Sequence, residues 1–347
     1  MSTARRRALG AFTGALAAAA LCGTASGAVT ISGWGSITAD MGGGVLVWAD
    51  SQPAKTKTFT YWRAEAWRAR VSGSSVGGAT RPVTVRTSAG PITAPDIRAT
   101  GTDRGLTLTA SGSAFPGPII WCCTTESLEV VLSSDSDGAA PHPYGAGLDG
   151  TRVRWISAGP TGAFLGSADP VENATRETSA AIPGRPGPGL ASVAAGIAAW
   201  ADTGGRAIRI GVPSDDGVSG IREIPQGGRV LTVRAVPGMV AAVVKAGGFR
   251  VTRTDAATGR VTVVWRGSAR PQVAVGGRAI AIGAGRVVLT SRGGAARKVG
   301  NAKGVVAAVA TDGSRVAVFE RVSRRTKTGK KTVTVRRTAA RIIGRVR

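Results

Sequence analysis

Few residues of this chain have types and spacings that could do chemistry. The single histidine, His142, stands between Pro141 and Pro143, and only Cys122 and Cys123 lie near it as soft ligands. A zinc site needs three or four Cys, His or carboxylate ligands, so His142 reads as a loop histidine and no metal is expected. Gly73-Ser74-Ser75-Val76-Gly77 has the Gly-x-Ser-x-Gly spacing of a nucleophile elbow. That device requires a strand before the serine and a helix after it. Here the β-branched run Pro82-Val83-Thr84-Val85 follows, so the pentapeptide reads as a hairpin tip. Asp135-Ser136-Asp137-Gly138 lacks the later glycine and the closing glutamate of a calcium loop, and Asp215-Asp216-Gly217 is the same case. Both read as solvated turns, and Asn173-Ala174-Thr175 is a glycosylation sequon only in a host that uses it. No catalytic residue, cofactor site or metal site is assigned.

The elements that would position any site are short strands. Apolar, often β-branched runs alternate with Gly, Asp, Ser and Pro clusters, which is the strand-and-turn pattern. One turn and strand recurs. Thr311-Asp312-Gly313-Ser314-Arg315-Val316-Ala317-Val318-Phe319-Glu320 is echoed by Leu148-Asp149-Gly150-Thr151-Arg152-Val153-Arg154-Trp155-Ile156. Val45-Leu46-Val47-Trp48-Ala49-Asp50 and Ile197-Ala198-Ala199-Trp200-Ala201-Asp202 repeat each other, with weaker copies from Leu106, Val240 and Ile280. The starts at Val45, Leu106, Val153, Ile197, Val240, Ile280 and Val316 are separated by 61, 47, 44, 43, 40 and 36 residues.

A period of about 40–45 residues holding several strands marks a propeller blade, whereas a sandwich gives no reason for one turn to return. The fold expected is all-β: a β-propeller of four-stranded blades, seven in number, with six or eight as alternatives. The alanine-rich stretch Leu190–Ala201 has helical propensity, but its match to the other repeats makes it strand. The long first interval reflects an insertion over Ala54–Gly78, an extended hairpin bearing Tyr61, Trp62 and Trp67 among basic residues. Pro183–Gly189 is expected to link two units. Trp48 and Trp200, with Phe319 in the corresponding place, form a column that packs between blades, an exposed sugar-binding column being the other reading. The acids just beyond, Asp50, Asp202 and Glu320, are expected to tie down turns.

The N-terminus carries a targeting pattern. Arg5-Arg6-Arg7, the apolar Ala8–Leu21 and the small Ser26-Gly27-Ala28 together make a secretory signal peptide over residues 1–28. A single propeller domain over 29–347 and a secreted or extracytoplasmic location follow as expectations. No segment is long and apolar enough to be expected to span a bilayer as a helix. Residues 29–347 keep two cysteines, too few for a disulfide framework. Adjacent thiols on a strand face opposite ways, leaving open one buried and one half-exposed thiol or a vicinal disulfide formed in an oxidising compartment.

Charge is uneven. Residues 29–200 carry 13 basic and 13 acidic residues, and residues 201–347 carry 29 and 7. Arg321–Arg347 holds eleven basic residues and no acid. Thr326-Lys327-Thr328-Gly329-Lys330 has turn chemistry, so Arg321–Lys331 is expected to form a charged hairpin excursion. Arg324, Arg325, Lys327, Lys330 and Lys331 are expected to project from it together, with Arg336 and Arg337 close by, as a polyanion-binding set. Arginine outnumbers lysine 37 to 8, so drift in a G+C-rich genome is the competing account of this charge.

The Asp-Gly-x-Arg-Val turns at Asp149 and Asp312 resemble the repeats of TolB-type and WD-like bacterial propellers. Asp255-Ala256-Ala257-Thr258-Gly259-Arg260 with Trp265 resembles the repeat of quinoprotein-type propellers. The resemblance implies that the last blade is closed by an N-terminal strand within Ala28–Ser32 pairing near Lys331–Arg337. Propeller enzymes gather polar groups on their inner strands, but Val193-Ala194-Ala195 and Val273-Ala274-Val275 are small and aliphatic. The function expected is therefore an exported, non-enzymatic binding or scaffold module. Its partner would be a protein or an anionic cell-envelope polymer, with nucleic acid disfavoured by export and a monomer expected. The alternative is a propeller enzyme of lyase, lactonase or quinoprotein type, with its site at the central channel.

Overall fold

In the computed structural model, residues 29–32, 36–55, 60–87, 92–99, 106–112, 119–122, 142–149, 152–159, 162–168, 178–328 and 331–346 are described. Their backbone forms seven antiparallel sheets, six of four strands and one of three. Strand β1 (Val29–Ser32) stands apart in sequence from the sheet it joins. Blade 1 holds β2 (Ser36–Gly42), β3 (Val45–Lys55), β4 (Thr60–Ser72) and β5 (Ser75–Thr87). Blade 2 holds β6 (Ile92–Ala99), β7 (Leu106–Gly112) and β8 (Ile119–Cys122). Blade 3 holds β9 (His142–Asp149), β10 (Arg152–Gly159), β11 (Gly162–Ala168) and β12 (Thr178–Ile182). Blade 4 holds β13 (Pro186–Ala194), β14 (Ile197–Asp202), β15 (Ala207–Ser214) and β16 (Gly217–Pro225). Blade 5 holds β17 (Arg229–Val236), β18 (Met239–Ala246), β19 (Gly248–Asp255) and β20 (Val261–Gly267). Blade 6 holds β21 (Gln272–Gly276), β22 (Ala279–Ala284), β23 (Val287–Ser291) and β24 (Arg297–Asn301). Blade 7 holds β25 (Val305–Thr311), β26 (Arg315–Thr328) and β27 (Lys331–Arg345), with β1 as its fourth strand.

The first strands of the blades touch in sequence order, β2 to β6, β9, β13, β17, β21 and β25, and β25 returns to β2. The ring is therefore closed, and the fold is a β-propeller. Every second strand begins within one residue of a repeat start read from the sequence. Leu190–Ala201 is strand, turn and strand, as the repeat required, because β-pairing on both sides outweighs alanine's helical preference. The linker between blades 3 and 4 is shorter than expected. Only Pro183–Arg185 is connection, and Pro186–Gly189 belongs to β13 across a bulge.

Closure follows the implied route, with a register correction. Val29 pairs with Ala340 and Ser32 with Arg337, so β1 seats on Arg337–Ala340 and meets the expected Lys331–Arg337 segment only at its edge. That register leaves the far half of the β26–β27 ribbon paired only with itself. Closing the ring with a remote strand satisfies a backbone edge that would otherwise invite pairing between molecules.

The core lies between blades. Trp200, fully buried, packs on Ile156, Ala158 and Leu165 of blade 3, and its Nε1 donates to the Pro183 carbonyl at 2.8 Å. Ile197, Ala199 and Ala201 of the same strand face Val230, Val233 and Val240 of blade 5. One strand thus feeds two cores through its period-two alternation. The inner strands approach each other closely: a Cβ at Gly147 would fall on the Val193 carbonyl, and one at Gly276 on the Thr311 carbonyl. Ser192 accepts a hydrogen bond from the Ala235 amide across blades 4 and 5 at 2.9 Å.

Candidate functional site

The sequence-derived candidates separate cleanly by position. His142 opens β9, its backbone opposite Ala158, and Cys122 closes β8 opposite Thr107. Cys123, the Asp135–Gly138 segment, the Asn173 sequon and residues 1–28 lie outside the described residues. Gly73 and Ser74 form the exposed turn between β4 and β5, with Val76 buried behind them, so Ser75 sits on a hairpin and not on a strand-to-helix elbow. Among the described residues no group of three His, Cys, Asp or Glu is placed to hold a metal.

The acids act as ties. Asp202 accepts a hydrogen bond from the Arg185 amide at 2.6 Å and another from Arg209 at 2.8 Å. Glu320, almost fully buried, accepts from the amides of Lys303 and Gly304, and Arg341 binds its other oxygen at 2.8 Å. Both acids end a blade's structural core and fasten the linker arriving from the preceding blade. Burial opposes the charge on Arg209, but the Asp202 and Glu223 carboxylates beside it outweigh that and raise its pKa. The two acids also reveal the true equivalence. Trp200 and Asp202 correspond to Val318 and Glu320, so Phe319 is one position out of step with Trp200. A one-residue offset moves a side chain to the other face of its sheet. Phe319 accordingly faces blade 1, where it meets Trp48 with ring centroids 5.7 Å apart, and Trp48 stacks on Trp67 at 6.2 Å. All three column residues are at most 1% exposed, which makes the column packing and removes the sugar-binding reading.

The two Asp-Gly turns do different work. Asp312 accepts from the amides of Ser314 and Arg315, both at 2.8 Å, and pairs with the Arg315 guanidinium at 2.7 Å. Its partial burial would raise its pKa, but these bonds prevail and hold it below the usual aspartate range. Asp149 instead reaches out of its blade to the Gly196 amide at 2.9 Å and pairs with Arg154. Asp215 stands in an exposed turn, as expected, and Arg152 and Arg154 both contact it at 3.0 Å, so the turn also clasps blade 3 to blade 4. The alternating Arg-Val-Arg after Asp149 was the available signal for this network. In blade 5, Asp255 accepts from the amides of Ala257 and Thr258, and Arg222 of blade 4 grips the same turn at the Ala257 carbonyl. Trp265 lies against the core shared by blades 5 and 6.

One open cleft of about 550 Å3 lies between blades 3 and 4, bordered by Tyr144, Ala158, Arg185, Pro186, Asp202 and Thr203. Burial pushes the Tyr144 phenol above its usual pKa. With Asp202 engaged by Arg185 and Arg209, this cleft offers no poised acid–base pair.

The basic segment forms the hairpin expected of it. β26 and β27 stay paired from Arg315 opposite Arg345 out to Thr328 opposite Lys331. The register divides its cationic positions between two faces. Opposite residues share a face and successive residues alternate. Positions Arg325, Lys327 and Arg336 therefore fall on one face, and positions Arg324, Lys331 and Arg337 on the other. The side chains of Arg325 and Arg337 are exposed, while Lys330 is outside the described residues.

No protein-family model matches this chain, and no curated protein matches it either. Solved structures do. The chain aligns with the WD40 domain of Toxoplasma gondii coronin at a TM-score of 0.50 and 10% identity, over 92% of this chain and 86% of that one. The likeness is to β-propeller folds, a WD40 domain among them. A chain of the mitotic checkpoint complex gives a TM-score of 0.50 at 9% identity, covering 91% of this chain and 94% of that one. The computationally designed Ika8 protein gives 0.50 at 10% identity, covering 90% and 97%. At such identities the likeness is one of architecture.

Proposed function

We propose that this protein is an exported, non-enzymatic propeller of the TolB-like kind, acting as a binding module that is held to an anionic envelope polymer through the β26–β27 ribbon. The observation that carries the reading is the ribbon itself. It continues well past the buried Phe319 and Glu320 layer, and from Arg321 onward it is rich in basic residues and free of acids. Arg325 and Arg337 are exposed on it, where their charge can meet a ligand. Asp202 and Glu320 are occupied as ties, which favours binding over chemistry. Export rests on the leader pattern of residues 1–28. No helix of the described residues is long and apolar enough to cross a membrane.

Retention on isolated anionic wall polymer, from about 50 to about 500 mM salt, tests the reading, because release of condensed counterions makes such binding fall steeply with salt. Wild type is compared with a variant in which Arg324, Arg325, Lys327, Lys330 and Lys331 are Gln. Equal retention at every salt concentration would reduce the basic segment to composition. Mass spectrometry of the extracytoplasmic fraction checks export, the expected mature chain starting at Val29.

A further inference from the structure

Blades 7 and 1 adjoin at the seam of the ring, sharing a core in which Trp48, Leu46 and Ala69 meet Phe319, Ala317 and Ala340. These two blades also carry the longest described strands: β3, β4 and β5 of 11, 13 and 13 residues, and β26 and β27 of 14 and 15. The second strands of blades 4, 5 and 6 have six, eight and six. Arg315, at the start of β26, donates to the Val71 carbonyl near the end of β4 at 3.3 Å, and Phe319 further along β26 meets Trp48 beside Trp67. Strands β26 and β4 therefore run oppositely, and the far ends of the β3–β4 and β26–β27 pairs, at Lys55–Thr60 and Thr328–Lys331, lie at the same end of the ring.

The register then shows which positions face each other across the seam. On blade 1 the face that contains Trp48 and Trp67 continues outward through Asp50 and Glu65 to Gln52, Arg63 and Arg86, and then to Ala54 and Tyr61. On blade 7 the face that contains Phe319 and Ala340 continues through Arg321 and Thr338 to Ser323 and Arg336, then Arg325 and Thr334, then Lys327 and Thr332. No register shift interrupts either run. Asp50 and Glu65 are 3% and 6% exposed, and on blade 7 the run passes from the buried Thr338 to the exposed Ser323 and Arg325. Beyond Asp50, Glu65 and Thr338, the two facing runs hold Arg63, Arg86, Arg325, Lys327 and Arg336, with Tyr61 and no further acid.

We propose that the ribbons of blades 1 and 7 form the two walls of one cleft for an extended phosphodiester-linked polymer, to which Arg63 and Arg86 contribute beside Arg325, Lys327 and Arg336. This rests on the polyanion reading above and deepens it. Positions of one face recur about every 7 Å along a strand, which suits a chain bearing one anion per repeat. A phosphodiester presents oxygens around a tetrahedron and can engage both walls at once, whereas a carboxylate offers its two oxygens in one plane. Arginine's planar fork of donors matches the phosphate group.

Three full-length variants separate the cleft from a diffuse positive field, using synthetic poly(glycerol phosphate) as probe and hyaluronan as the carboxylate comparison. Arg325→Gln/Lys327→Gln/Arg336→Gln strips the cleft face of blade 7, and Arg324→Gln/Lys331→Gln/Arg337→Gln removes the same charge from the opposite face. Arg63→Gln/Arg86→Gln strips the wall of blade 1. The cleft-face triple should weaken phosphate-polymer binding about tenfold or more and lower the log–log salt slope by about 2, near 0.7–0.9 per lost contact. The blade 1 pair should lower the slope by about 1.5, and the opposite-face triple should bind within about twofold of wild type. Thermal melts confirm that each variant is folded, and Arg63→Lys/Arg86→Lys serves if the glutamine pair is not. That lysine pair should keep the slope but lose affinity. Equal losses in the two triples with an unchanged blade 1 pair would overturn the cleft and leave the proposed function standing. No loss in any variant would overturn both, and equal binding of hyaluronan would overturn the choice of phosphodiester.

Discussion

Blades 4 and 7 build their inner layers alike and differ in what lies beyond. In blade 4, β14 ends at Asp202, two residues after the buried Trp200, and the carboxylate fastens the incoming linker at Arg185. In blade 7, Val318 and Glu320 occupy those places and fasten Lys303 and Gly304, but β26 runs on to Thr328. The buried layer and its acid tie are the part that holds a blade to its neighbour. The extension runs on beyond that tie, with Val322 still close to Gly304. Under the proposed function, the tie and the charge of the extension can be perturbed separately.

The sharpest way to break the comparison is inside the layer. Trp200→Ala should destabilise the fold by about 3–5 kcal/mol, since a wholly buried ring is lost from the junction of blades 3 and 4 and the Pro183 carbonyl loses its donor. A loss under about 1 kcal/mol in a denaturant titration would contradict the packing assignment. Glu320→Ala should cost about 2 kcal/mol, because two linker amides and the Arg341 guanidinium lose a charged partner.

Acid gives a smaller, local effect. Asp312 has a lowered pKa in the folded state, so its contribution is fully present above the ordinary aspartate pKa and is lost as pH falls through the folded value. Asp312→Asn should therefore cost about 1 kcal/mol at neutral pH, with the gap to wild type narrowing below about pH 4. A gap that stays constant down to pH 2 would exclude the carboxylate as its source. The smallest expected effect on stability lies in the extension. Replacing Arg324, Arg325 and Lys327 with Gln should shift stability by about 0.5 kcal/mol or less while altering retention on anionic polymer. A large drop in melting temperature would show that the ribbon braces the seam after all.

Much of this architecture was legible from the chain alone because its signals are local. Gly196 with Ile197, and Gly44 with Val45, mark the return into a second strand in the same way wherever they occur. Strand β1 was placed as the closing strand by the resemblance to repeat propellers, and it does pair with β27. The ties at Asp202 and Glu320 were legible from local signals, each standing at the end of an apolar run. Phe319 was not. Its alignment with Trp200 counted from the first valine, and the Asp312-Gly313-Ser314-Arg315 turn starts the strand one residue earlier.

The sequence by itself determined the strands, their repeat and the concentration of positive charge near the C-terminus, since propensity, turn chemistry and charge are properties of neighbouring residues. Only the tertiary structure decided which face each residue takes and what stands opposite it. A single added turn residue reverses every face that follows, and ring closure sets Trp48 against Phe319, 271 positions away in the chain. No window of local sequence contains both sides of that seam, so its existence depends on the ring having closed.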